Sequence, residues 1–198
     1  MPANQVSTGV EISIYVVSAL AGNAWQESHV NPTVTQQGGG TGFGLWQWSY
    51  SRRDDLFNYL TSHGYSHFDP VGQMQFLIDE NIWIGSFGGI SSLKEFLYSD
   101  STDIAMLTEA FSRCWEGAGT PVLDERIRFA YEAYDYILEH ADDTSITDWI
   151  TQPMYYISEA DALKNSVLMY RFYSKGGGVL PTKRKKKMPV WMMVRYHY

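Results

Sequence analysis

The residues in this sequence with the clearest chemical potential are Glu27 and a glycine, glutamine and tryptophan cluster shortly after it. The stretch Gly22-Asn23-Ala24-Trp25-Gln26-Glu27-Ser28-His29-Val30-Asn31-Pro32 precedes Gly42-Phe43-Gly44-Leu45-Trp46-Gln47-Trp48. Glu27 falls at the end of an apolar helical stretch, near Trp25 and close to the second cluster with Trp46 and Trp48. A carboxyl set against aromatic surface loses solvation, which disfavours its charged form. An acid that cleaves glycosidic bonds needs that bias, because it must hold a proton near neutral pH. Gly42 and Gly44 let backbone come close to a ligand, while Leu45 anchors the turn in the core. Gln47 can hydrogen-bond a sugar substituent or position a water, and Trp46, Trp48 and Tyr50 offer rings for stacking on pyranose faces. On residue types alone another reading stays open, since a glutamate near a helix end is commonly a solvated terminus.

The elements that must position these residues are mostly helical. Val10, Ile14, Val17, Leu20, Ala21 and Ala24 keep a period near 3.6 and predict a helix over 10–28, stopped beyond Glu27 by Asn31-Pro32. Asp69-Pro70 and Thr120-Pro121 each read as an N-cap with proline at the first helical position, and apolar stripes follow both. Shorter helices are predicted at 53–62 and 102–114. Residues 31–51, rich in Gly, Thr and Gln, have little helical period and predict a small β-hairpin or an ordered loop. The fold class expected is therefore mainly α, with one irregular segment directly after the helix that carries Glu27.

Composition narrows the function classes. The chain has 198 residues, enough for one domain with a sizeable core, and seven Trp and fourteen Tyr exceed what a small core needs. The net charge of −7 hides an asymmetry. Lys183, Arg184, Lys185, Lys186, Lys187 and Arg195 leave the first 175 residues with a formal charge of −13. An acidic body of that kind argues against a nucleic-acid enzyme. No run reaches the length of a membrane span, and the first residues lack the basic region and cleavage site of a signal peptide. The five histidines are scattered without metal-ligand spacing, and the lone Cys114 reads as a buried small hydrophobe, so no metal or cofactor is expected.

Taken together, residues 22–32 and 42–48 resemble the lysozyme superfamily signature, Glu-Ser followed by Asn-Pro and then Gly-x-Gly-Leu-x-Gln. More specifically they resemble the phage tail lysozyme family. Phe111-Ser112-Arg113-Cys114-Trp115-Glu116, followed by Glu125-Arg126 and Ala130, is similar to that family's last block, so the resemblance spans about residues 10–140. It implies a lysozyme-like α+β fold over residues 1–150 and Glu27 as catalytic acid. It also implies a glycan groove beside Gln47, and cleavage between N-acetylmuramic acid and N-acetylglucosamine. The setting implied is a phage tail acting on the bacterial cell wall, with other tail proteins as partners. The resemblance leaves the second catalytic group open: Asp54, Asp55 and Glu80 are candidates, each with an ordinary alternative, namely a helix first turn for the aspartates and the surface for Glu80. Glu116 reads as structural, pairing with an arginine such as Arg126. A lytic transglycosylase using the same acid, and a non-catalytic glycan-binding or structural tail module, are the alternative functions.

Residues 151–175 form a further unit, with Ser158-Glu159-Ala160-Asp161 as a helix start. It resembles the helix that begins some tail lysozyme domains, yet here it follows the domain. It is expected either to pack back in a permuted arrangement, to start a second, truncated copy, or to join the domain to further tail modules. Residues 176–198 read as a Gly-rich, basic linker and a short apolar arm expected to dock on the body or a partner.

Overall fold

A helix apolar on all sides must sit inside a protein, and α1 (Ile14–Ser28) does. Every residue from Val16 to Ala24 is buried. In this computed structural model, which describes residues 12–36, 38–117, 122–151 and 157–174, the other long helices surround α1. α5 (Ile104–Cys114), α6 (Leu123–His140) and α7 (Glu159–Tyr173) all pack against it, α6 most extensively. α2 (Ser51–Ser62) and α3 (Pro70–Glu80) pack on each other, and the short α4 (Leu93–Leu97) rests on α5. No helix among the described residues is long and apolar enough to cross a membrane.

Local capping explains most helix starts. The Asp69 carboxylate accepts from Val71 N at 2.8 Å and Gly72 N at 3.2 Å, with Pro70 at the first position, as expected. Asp103 and Ser158 cap α5 and α7 in the same manner. The predicted start at Thr120-Pro121 lies outside the described residues, as does the 176–198 arm; α6 is first seen from Leu123.

The segment after α1 carries isolated antiparallel bridges, Thr35 to Phe43 and Phe43 to Trp48, and no strand among the described residues. Of the two forms expected, the ordered loop describes it. The reason is local: Phe43 pairs on both sides, while positive φ at Gly44 and Gln47 turns the chain before a ladder can extend.

α7 lies against α1 and α6 rather than apart from them. The buried Asn165 donates to Val30 O and Ile150 O, both at 3.0 Å, and accepts from Ile150 N at 2.9 Å. Tyr173 donates to Met74 O at 3.2 Å, which ties the end of α7 to α3.

Candidate active site

The site begins with a glycine that lets two helices touch. A Cβ on Gly22 would lie 2.3 Å from Arg126 O and 2.7 Å from the Ala130 side chain, so only glycine allows α6 to approach α1 this closely. Trp25 stacks on Phe129 at 4.6 Å along the same seam. The approach delivers Arg126, itself 3% exposed, to the C-terminal end of α1. Its Nη2 donates to Glu27 Oε1 at 2.5 Å, and its Nη1 donates to Asn23 Oδ1 at 2.9 Å and Glu116 Oε1 at 2.8 Å. Asn23 is buried and clamps α1 to α5 through Thr108 O at 3.1 Å. Thus one guanidinium holds two carboxyls, and Asn23 fixes its orientation.

The two acids differ in access. The Glu27 side chain is 26% exposed, whereas that of Glu116 is 8% exposed. Burial pushes the Glu116 carboxyl up to about 8; the charge of Glu27 adds to this, and Arg126 and Ser112 oppose it. Sequence reasoning paired Glu116 with Arg126, and the structure agrees. It missed that Arg126 also holds Glu27, a contact across 99 residues that no local spacing signals.

Ser28 ties this cluster to the loop, with its hydroxyl 2.8 Å from Leu45 O and accepting from Asn31 N at 3.2 Å. Two left-handed residues, His29 and Val30, turn the chain out of α1 into the loop. Gln47 is half-buried, and its amide nitrogen donates to Val34 O at 3.2 Å and Gly44 O at 3.1 Å. Tyr50 stands 77% exposed at the head of α2.

Three expectations need correction. Trp46 and Trp48 are 3% and 1% exposed and cannot offer a face to a sugar. They pack edge to face with each other and with Trp115, and their indole nitrogens donate to Leu20 O and Glu80 Oε1. Gly44 is buried at φ 77°, and a Cβ there would meet Gln73 Oε1 at 2.5 Å. Its missing side chain therefore makes room for the core amide of Gln73, which accepts from Leu45 N at 3.0 Å, rather than for a ligand. Glu80 is not at the surface: its side chain is 5% exposed and is held by Arg52 at 2.9 Å and Trp48 at 3.0 Å. Asp54 and Asp55 are exposed near the start of α2. Cys114 is buried, as expected, and burial raises its thiol pKa.

A partly exposed glutamate stands at the end of α1 as the resemblance implies, and the buried Arg126 that grips it from inside is an addition the structure makes. A family model described as phage tail lysozyme matches residues 3–137, more than half of the chain. The chain belongs to the phage tail lysozyme family. Membership carries a lysozyme-like, peptidoglycan-degrading role and a phage tail context. A search of curated proteins finds no match. α7 lies beyond the matched residues.

Proposed function

We propose that this phage tail lysozyme cuts the glycan strand between N-acetylmuramic acid and N-acetylglucosamine, with Glu27 as the general acid. The observation that carries this reading is the Glu27–Arg126 contact: of the two carboxyls on Arg126, Glu27 is the one open to solvent. Glu27 protonates the bridging oxygen as the glycosidic bond breaks, and the carboxylate so formed meets the guanidinium already within hydrogen-bond distance. No reorganisation is needed at the moment charge appears. Tyr50 supplies the exposed ring for stacking on a sugar, and Gln47 shapes the loop wall beside it. Residues 157–174 complete the catalytic domain through α7, which packs on α1 and α6.

A lytic transglycosylase is the second reading, favoured by one observation. Glu80 is held by Arg52 and Trp48, and Asp54 and Asp55 sit near an exposed helix start. A reaction assisted by the substrate's own acetamido or hydroxyl group requires no second carboxylate.

The test is mass spectrometry of purified peptidoglycan digested by wild type and by Glu27→Gln. Muropeptides with reducing ends from wild type, reduced at least about 10²-fold in the variant, are expected. Anhydro-muramyl ends would establish the transglycosylase. Equal cleavage by both proteins would remove Glu27 from the mechanism, and cleavage by neither would make the chain a binding module.

A further inference from the structure

An acid paired with an arginine poses a chemical problem. The ion pair favours the carboxylate, yet the proposed acid must carry a proton when the glycan is bound. We propose that Glu27 and Glu116 share a single proton across Arg126, which makes Glu116 a positioning residue that lets Glu27 be the protonated partner. The proposal rests on Glu27 being the acid, and it concerns how that acid stays loaded.

The geometry carries it. Both carboxyls bond the same guanidinium, Glu27 through Nη2 and Glu116 through Nη1. Two carboxylates and one guanidinium leave one surplus negative charge in a region where Arg126 and Glu116 are nearly sealed from water. Charge of that kind is removed by binding one proton. The other charged groups on the elements packed here have positions and partners of their own. On α5, Arg113 pairs with Glu109, and Ser112 donates its hydroxyl to Glu116 at 3.5 Å. On α6, Asp124 and Glu125 are exposed, and Arg128 bonds Glu125, Glu132 and Glu159. On the α1 side, His29 stands two residues past Glu27, with its ring against Trp25. Glu27 and Glu116 are the carboxyls that bond Arg126, and the compensating proton is assigned to them on that geometry.

In the free protein the proton resides on the more buried partner, Glu116, where burial favours the neutral form. A bound glycan covers the exposed part of Glu27 and removes its water. The balance then reverses: Glu116 gives up a proton and becomes the carboxylate paired with Arg126, while Glu27 takes one, through solvent. The proton count and net charge of the cluster stay constant, and the acid is loaded in the complex.

The test is the pH profile of muropeptide release for wild type, Glu116→Gln and Glu116→Asp. Glutamine keeps an acceptor for Arg126 but removes the second ionisable site, so Glu27 faces the full arginine charge. The alkaline limb is expected to move to lower pH by at least about one unit, about a tenfold loss near neutrality, with near wild-type rates in acid. Aspartate is expected to restore the limb. A profile that does not move, or a loss uniform across pH, would overturn the proposal. Should Glu116→Gln not fold, carboxyl carbon NMR of wild type reads the same sharing: both glutamates should report common titration steps, and independent steps would overturn it. Cleavage by Glu27→Gln would overturn the proposed function and this inference together. An inactive Glu27→Gln beside an unmoved Glu116→Gln profile would overturn this inference alone.

Discussion

Among the arginine–carboxylate clusters of the described residues, the two whose acids are most covered differ in stoichiometry. Near α3, Arg52 holds Glu80 one to one, with the Trp48 indole as a further donor and the Trp115 ring 4.2 Å beneath the guanidinium. Near α1, Arg126 holds Glu27 and Glu116 together. The first cluster is charge-balanced, and its acid is covered, so it can do little beyond fastening α2 to α3. The second has one acid too many and opens one of them to solvent. An ion pair that is saturated and covered is structural; under the proposed sharing, a covered one with a surplus acid has a proton to move. Burial alone does not separate the two, because Glu80 and Glu116 are about equally covered, at 5% and 8%.

The largest effect comes from deleting each arginine. Arg126→Ala leaves two acids facing each other in a nearly dry site and should cost about 3–5 kcal/mol, measured by chemical denaturation. Cleavage should be lost even where the protein remains folded. Arg52→Ala removes a partner that is itself 28% exposed, leaves Glu80 its Trp48 bond, and should cost less, about 1–3 kcal/mol, with cleavage retained. Loss of cleavage in both variants at matched stability would break the contrast and bring Glu80 into the mechanism.

A smaller effect is expected in stability against pH. The Glu116 carboxyl stands at about 8 in the folded chain, above its ordinary value of 4.5. Between those values the unfolded chain has released the proton that the folded chain keeps. Stability contributed by the neutral group is thus complete below about 4.5 and is lost as pH rises through about 8. Glu116→Gln should flatten the fall in Tm across that window, an effect on the order of a few kcal/mol. Glu132, raised to about 7 by burial and by Glu159, has the same sign of dependence. It is half-buried and bonded to Arg128, so Glu132→Gln should flatten the curve less. Equal flattening would mean that burial of Glu116 has no special weight.

What the sequence revealed divides along the same line. Features set within a few residues were legible: the Asp69-Pro70 start of α3, the Ser158 start of α7, the apolar run of α1 and its end near Glu27. The five-residue α4 was not, because one turn is too short to show a period. Features set by distant partners were also hidden. Gly22 reads as a helix residue of poor propensity until α6 is laid against it, and Arg126 as a partner of Glu116 alone until it reaches Glu27. Glu80 read as surface because its partners, Arg52 and Trp48, lie 28 and 32 residues away. The tryptophans were read for their chemistry when their place was decided by packing. Trp46 and Trp48 sit two apart in a turning loop, where neither a period of 2.0 nor one of 3.6 assigns a face.

The smallest effects separate the aromatic residues of the core from the exposed Tyr50. Tyr50→Ala removes a ring that is 77% exposed and should leave stability within about 0.5 kcal/mol. If the ring stacks on the glycan, KM should rise a few-fold with kcat unchanged, the pattern of lost ground-state binding. Alanine is the right replacement, because Tyr50 holds φ 52° and ψ −131°, a strained conformation for any residue with a Cβ. Glycine would relieve that strain and confuse the stability readout. Trp48→Phe is the counterpart: it keeps an aromatic ring in the core but removes the indole bond to Glu80, so about 1 kcal/mol of stability should go while KM holds. If the roles were exchanged, with KM rising for Trp48→Phe and unmoved for Tyr50→Ala, the loop would have to open Trp48 to the glycan when substrate binds. The balanced Arg52–Glu80 cluster would then be a latch on that opening rather than a fixed clasp.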